Sequence, residues 1–225
     1  MRIIIGKEDY LEAGQVFTWA SKEHYQVWFT GKTVRHRRTE QMLPRLVKKG
    51  KLIKKDHGKK LIYAVPRTKN TLIEHGLGCT EGLVRIWRSN MEAMIIAERH
   101  FKGLGSVPDW GMLFGERLLL FEYTTQNNFE QARIVKTKIT KYQSNLEGIL
   151  EKFGALEGVV LFVIDVARVR VENFVNRLHP DGPFMFCDYE TFKSVPIGEQ
   201  LTAPIYIWGE DGETYPLRHA GLKDV

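Results

Sequence analysis

Apolar residues follow two rhythms along this chain: recurrence at three and four residues over most of its length, and short unbroken apolar runs in its C-terminal half. The first rhythm appears after Ser21, which can cap a helix carrying Glu23, Tyr25, Val27, Trp28 and Phe29 by accepting from the free amides of its first turn. Thr30-Gly31-Lys32 ends it. A second helix is predicted from Thr33 to Lys49, with Leu43, Leu46 and Val47 as its buried stripe and Gly50 placed to take the left-handed conformation that closes a helix. Pro44 removes an amide within it and crowds the preceding turn, at about 3 kcal/mol in a regular helix. The helix is therefore expected to break into two there. Leu52 to Lys55, the turn Asp56-His57-Gly58 and Lys59 to Ala64 follow as a hairpin.

Past the linker-like stretch Pro66-Arg67-Thr68-Lys69-Asn70 the apolar segments lengthen. Thr80 to Arg99 reads as a helix carrying Leu83, Ile86, Trp87, Met91, Met94 and Ile95. Val107 to Phe114 and Arg117 to Tyr123 read as strands joined by the tight Gly115-Glu116 turn, the second apolar enough to be central. Phe129 to Phe153 is the longest amphipathic segment, with Val135, Ile139, Tyr142, Leu146, Ile149 and Phe153 on one stripe. A buried-type strand, Gly158 to Ile164, precedes Asp165, expected to cap a helix through Val171, Phe174, Val175 and Leu178; Pro183 to Cys187 and Pro204 to Trp208 are shorter strands. This order predicts an α/β (α+β) protein in two domains, 1–68 and 69–225, the second a mixed sheet flanked by helices.

Charge sharpens that division. The whole chain carries 33 Lys/Arg against 27 Asp/Glu, a net of +6, but residues 1–69 hold 17 against 6 and residues 70–225 hold 16 against 21. A composition 43% hydrophobic and 11% aromatic excludes disorder as the general state. No apolar run reaches the roughly 18 residues of a membrane span, and Lys7, Glu8 and Asp9 follow the first six residues where a signal peptide would continue apolar. A cytoplasmic protein without a membrane partner is expected. Cys79 and Cys187 are too few for a disulfide framework or a Cys-based zinc site. No repeat appears, and Gly103-Leu104-Gly105 lacks the rest of a dinucleotide fingerprint.

The basic module has the element order of a winged helix-turn-helix, whose second helix enters the DNA major groove while the wing touches phosphates. Arg35, His36, Arg37 and Arg38 lie in the opening turns of that helix, and Lys48, Lys49, Lys51, Lys54, Lys55, Lys59 and Lys60 would meet the backbone. Double-stranded DNA is the expected partner, with steeply salt-dependent affinity. A homodimer is expected by analogy, because one small module reads few base pairs. The alternative for such a module is a transcription regulator or a protein-interaction scaffold.

Chemistry points to Val107-Pro108-Asp109 on one strand and Phe121-Glu122-Tyr123-Thr124 on the next. Two carboxylates on neighbouring strands can converge on a divalent cation that activates water against a phosphodiester. The order resembles the restriction-endonuclease-like fold, whose nucleases use Pro-Asp followed by Glu or Asp, any residue, and Lys; here Thr124 stands at the lysine position. Lys136, Lys138 and Lys141 on the following helix are candidates to reach back in its place, and Asp109, Glu122 and Lys138 form the candidate catalytic set, the two acids the candidate metal ligands. No nucleophile triad can be assembled from the histidines.

A broader resemblance runs through His75-Gly76-Leu77-Gly78-Cys79-Thr80-Glu81-Gly82-Leu83-Val84-Arg85, Pro108-Asp109, Phe121-Glu122 and Lys138-Ile139-Thr140-Lys141-Tyr142. These are similar to motifs of the replication-relaxation family of plasmids and other mobile elements, and the likeness of architecture covers roughly residues 8–180. The resemblance implies a winged helix ahead of a nuclease-like domain, a role in DNA replication or its control on a plasmid, phage or other mobile element, and replication proteins as partners. Where that family has Glu-x-Asp, this chain has Glu122-Tyr123-Thr124. The expectation is therefore a degenerate nuclease domain with no cofactor; a Mg²⁺-dependent endonuclease using Asp109 and Glu122 is the alternative.

Overall fold

A computed structural model gives the structure; it describes residues 7–30, 36–66, 68, 73–89, 93–131, 133–178, 180–194, 205–208 and 214–217. Arg35 and the expected helix start at Thr33 lie outside them. The chain forms two compact units, Met1–Arg88 and Ser89–Val225. The division falls at the last residue of the 73–89 helix.

The first unit runs α1 (Lys7–Val16), β1 (Ala20–Ser21), α2 (Lys22–Thr30), α3 (Arg37–Lys48), β2 (Ile53–His57), β3 (Lys60–Ala64) and α4 (Ile73–Ser89). Ser21 caps α2 as expected: its Oγ accepts from the His24 amide at 3.4 Å, and its own amide donates to His24 Nδ1 at 3.2 Å. This is the reciprocal logic of a capping box with an imidazole in the returning role. Gly50, at φ 65°, closes α3. Its amide donates to the Val47 carbonyl and that of Lys51 to Leu46, each at 2.9 Å, the paired bonds of a Schellman ending. Pro44 does not break α3, which continues through it. Pro44 is exposed while Thr39, Leu43 and Leu46 on the other side are buried, so packing of that stripe holds the helix together across the missing amide.

The hairpin turn is tighter than expected. Asp56 and His57 belong to β2, and Gly58, at φ 58°, with Lys59 makes a two-residue connection. Residues Ala20 and Ser21 add a third strand by pairing with Tyr63 and Ile62, giving the order β1-β3-β2. Trp19, Ile62, Ala64 and Ile73 form a core cluster behind that sheet. Gly76 permits it: a Cβ there would stand 3.0 Å from Thr18 and 3.1 Å from the Trp19 ring.

The second unit runs β4 (Met94–Ala97), a 3-10 turn at Glu98–Phe101, β5 (Trp110–Phe114), β6 (Arg117–Thr124), α5 (Gln126–Glu130), α6 (Arg133–Phe153), β7 (Glu157–Ile164), α7 (Arg168–Leu178), β8 (Phe184–Asp188), α8 (Tyr189–Ser194), β9 (Ile205–Trp208) and β10 (Thr214–Leu217). Its mixed sheet has the order β10-β9-β8-β7-β6-β5-β4, with β6, β7 and β8 parallel and the outer pairings antiparallel. Strand β6 is central and buried, as its composition required. Leu118, Leu120, Val160, Phe162, Ile164, Phe184 and Phe186 cover one sheet face, under Val135, Ile139, Tyr142 and Ile149 of α6 and Val171, Phe174 and Val175 of α7.

Four expectations are corrected. The helix expected at Thr80–Arg99 lies at Ile73–Ser89, and Met94-Ile95-Ile96-Ala97 is strand β4, since a short apolar run reads equally as helix or strand until a neighbour pairs with it. The long amphipathic segment is two helices, because Thr125 caps α5 by accepting from the Asn128 amide at 3.4 Å and Gln131 leaves helical geometry at ψ 68°. Asp165 does not cap α7; its amide donates to the Thr124 carbonyl at 2.8 Å and its carboxylate accepts from Tyr123 Oη at 3.2 Å. Asp109 lies just before β5 rather than within it.

Candidate functional site

The two units carry opposite charge: residues 1–88 hold 19 Lys/Arg against 8 Asp/Glu, and residues 89–225 hold 14 against 19. In the first unit the excess gathers on α3 and the hairpin. Burial of Thr39, Leu43 and Leu46 turns Arg37, Arg38, Gln41, Arg45, Lys48 and Lys49 outward, all of them exposed. His36, at the helix N-terminus, is half-buried instead, its Nδ1 2.9 Å from Thr39 Oγ1, which also meets Tyr10 Oη at 2.9 Å. The histidine therefore fixes the start of α3, leaving Arg37 and Arg38 as the projecting cations. Together with Gln41, Met42 and Arg45 these three residues line an open depression of about 430 Å³. Arg45 and Gln41 were missed by reading the opening turns alone; the helical spacing of 37, 41 and 45 was the available signal.

On the hairpin, Lys54 and Lys55 of β2, Lys59 of the turn and Lys60 of β3 are all exposed, as is Lys51 before it. Inside the same unit, a second electrostatic arrangement is structural. His24 Nε2 meets Glu81 Oε2 at 2.7 Å, and Arg85, one turn along α4, also binds Glu81. Burial acts to raise the Glu81 carboxyl, but His24 and the Arg85 guanidinium hold it down to about 2. Glu81 thus ties α4 to the cap of α2, with Arg85 bracing it from its own helix.

In the second unit, the expected acids do come together. Glu122 on β6 points into the sheet face covered by α6 and is 1% exposed. Its Oε2 is bound by Lys138 Nζ, and its Oε1 accepts from Tyr142 Oη at 2.7 Å. Lys138 and Tyr142 lie one helical turn apart on α6, so both reach one carboxylate from adjacent turns. Burial pushes the Glu122 carboxyl up to about 7 despite the Lys138 ammonium; the nearby Asp109 charge adds to the rise, while the hydrogen bonds from Lys138 and Tyr142 restrain it. Burial and the same acids push the Tyr142 hydroxyl far above its ordinary range. Asp109 is held from the other side: its Oδ2 accepts from the Tyr123 amide at 2.7 Å, and its own amide donates to the Phe121 carbonyl at 3.0 Å. Thr124, where a nuclease lysine would stand, is buried at the end of β6.

Of the three helix lysines, Lys138 reaches Glu122, whereas Lys136 and Lys141 are exposed. Tyr142 was read only as a core residue, though its spacing of four from Lys138 was visible. The donor set does not fit a resident divalent cation. Such an ion takes about six oxygen ligands, while each Glu122 oxygen already has a protein donor. No step through a metal is therefore derived.

Among the described residues, no helix is long and apolar enough to cross a membrane. The chain matches no protein-family model, and no curated protein is significantly similar to it.

Proposed function

We propose that this is a double-stranded DNA-binding protein of a plasmid, phage or other mobile element, acting in replication or its control. The first unit is read as a winged helix, α3 as its recognition helix and the β2-β3 hairpin as its wing. The observation that carries the reading is the single outward face of α3, where Arg37, Arg38, Arg45, Lys48 and Lys49 project opposite a stripe buried in the core. A helix of this kind places its first turns against base edges and its flanking cations against phosphates. The second unit is read as a restriction-endonuclease-like domain that has lost catalysis, with Lys138 serving as the counter-ion of Glu122. Replacing Arg37 and Arg38 with alanine should weaken duplex binding by at least about tenfold and lower the slope of log K against log salt by about 2, nearly one per phosphate contact. Titration of a labelled duplex at several KCl concentrations measures both, and unchanged affinity and slope would refute the assignment.

The inward reach of Lys138 also favours a second reading. A lysine from α6 beside Glu122 and Asp109 supplies the residue type missing at Thr124. Under this reading Asp109 and Glu122 would be the residues to hold a divalent cation, which would supply charge stabilisation and an activated water, with the Lys138 ammonium beside them. Incubation of supercoiled and linear DNA with Mg²⁺ or Mn²⁺ decides between the two. No cleavage is expected; cleavage lost in Asp109→Ala would replace the first reading of this domain with the second.

A further inference from the structure

We infer that the outward face of α6 is a second DNA contact, gripping the sugar-phosphate backbone through Arg133, Lys136 and Lys141. The inference rests on the DNA-binding reading of the first unit and assigns the second unit a part in the same complex. Residues 133–141 carry four cations, and no acid occurs between Gln131 and Leu146, within a unit whose net charge is negative. Core packing sorts the four. Lys138 turns inward to Glu122, while Arg133, Lys136 and Lys141 are exposed.

Two features distinguish these three from much of the unit's surface charge. Several of the other cations sit beside acids: Arg117 with Glu157 at 3.0 Å, Arg168 with Glu172 at 3.1 Å and Lys193 with Glu190 at 2.7 Å. Arg133, Lys136 and Lys141 have no such acid among the described residues. Their position also runs against helix electrostatics. The first turn of α6 contains no acidic residue, and a cation near the positive end of a helix costs about 0.3–1 kcal/mol. Arg133 and Lys136 are thus placed where they weaken the free helix and where an anion would recover that loss.

The geometry suits a polyanion. The three cations, with Thr137 and Thr140, line an open recess of about 490 Å³. The Thr137 side chain is exposed beside them, and hydroxyls join cations in backbone contacts to DNA. From Arg133 to Lys141 the helix rises ~12 Å. Each DNA strand carries one phosphate per about 3.4 Å of duplex axis, winding around it, so a stripe of this length is long enough to meet more than one phosphate. The absence of aromatic residues on it argues for backbone contact without base stacking.

The test uses the full chain with Arg133→Glu, Lys136→Glu and Lys141→Glu combined, and a matching triple alanine variant. Glutamates at 133 and 136 suit the positive end of the helix and position 141 is exposed, so the fold should persist; the alanine variant checks that point without reversing charge. Binding to a 30-base-pair duplex is measured across KCl concentrations. Both variants should lower the salt slope by about 2–3 and weaken affinity at least about tenfold, equally on all sequences. If both retain wild-type slope and affinity while Arg37→Ala/Arg38→Ala weakens binding, the α6 contact is wrong and the first-unit reading stands. Failure of the wild type to bind duplex at low salt overturns both. Loss of binding to phosphatidylserine vesicles with an unchanged DNA slope would assign the face to a membrane and overturn the inference.

Discussion

Glu122 shows how one buried residue sets the chemistry of its unit. Its carboxylate lies among apolar side chains of the sheet and α6, with Lys138 and Tyr142 filling its two oxygens. Because its folded pKa is raised to about 7 from an ordinary value of 4.5, the native state keeps a proton that the unfolded chain has already released between those values. Stability from this group is therefore present at low pH and lost as pH rises through that window. Comparing urea unfolding of wild type and Glu122→Gln at pH 5 and 7.5 should show the wild type losing on the order of 2–3 kcal/mol relative to the variant. Parallel behaviour would mean that Lys138 keeps Glu122 ionised throughout. Glu81 has the opposite balance, since His24 and Arg85 overcome the effect of burial. The two glutamates diverge because Glu122 is the more completely buried, 1% against 17% exposed, and shares its lysine with the charge of Asp109, whereas Glu81 faces two partners of basic type.

At the scale of elements, close backbone approach decides where small residues stand. On β5, a Cβ at Gly111 would lie 2.5 Å from Cζ of Phe101, a ring that is itself fully buried against Phe153. Gly111→Ala should destabilise the protein by about 1–3 kcal/mol through this clash, although alanine loses less backbone entropy. Thermal unfolding gives the check; an unchanged or raised midpoint would show that Phe101 can yield. The same scale explains the success and failure of pattern reading. Ser21 and Gly50 were legible as helix ends because capping depends on a few adjacent residues. The division of α5 from α6 and the identity of β4 were not, since Thr125 competed locally with a long helical period and Met94–Ala97 became strand by pairing with β5.

Across the whole molecule, charge is distributed by unit: the +6 of the chain is the difference between a strongly basic first unit and an acidic second one. Net charge therefore understates the field at α3 and the hairpin, and the salt dependence proposed for DNA binding follows from this local excess. The α6 stripe is the exception inside the acidic unit, which is why its three outward cations carry an inference that the total could not. From sequence alone came the basic module, its capped helices and hairpin, the central strand β6, and the pair Asp109 and Glu122. These rest on local periodicity, turn chemistry and residue type, which act over a few positions. Only tertiary structure selected Lys138 from three neighbouring lysines, turned His36 into a fixture of the helix start, and carried α3 unbroken through Pro44. Each of those outcomes depends on which face a core buries, and that is settled by packing between segments distant in the chain.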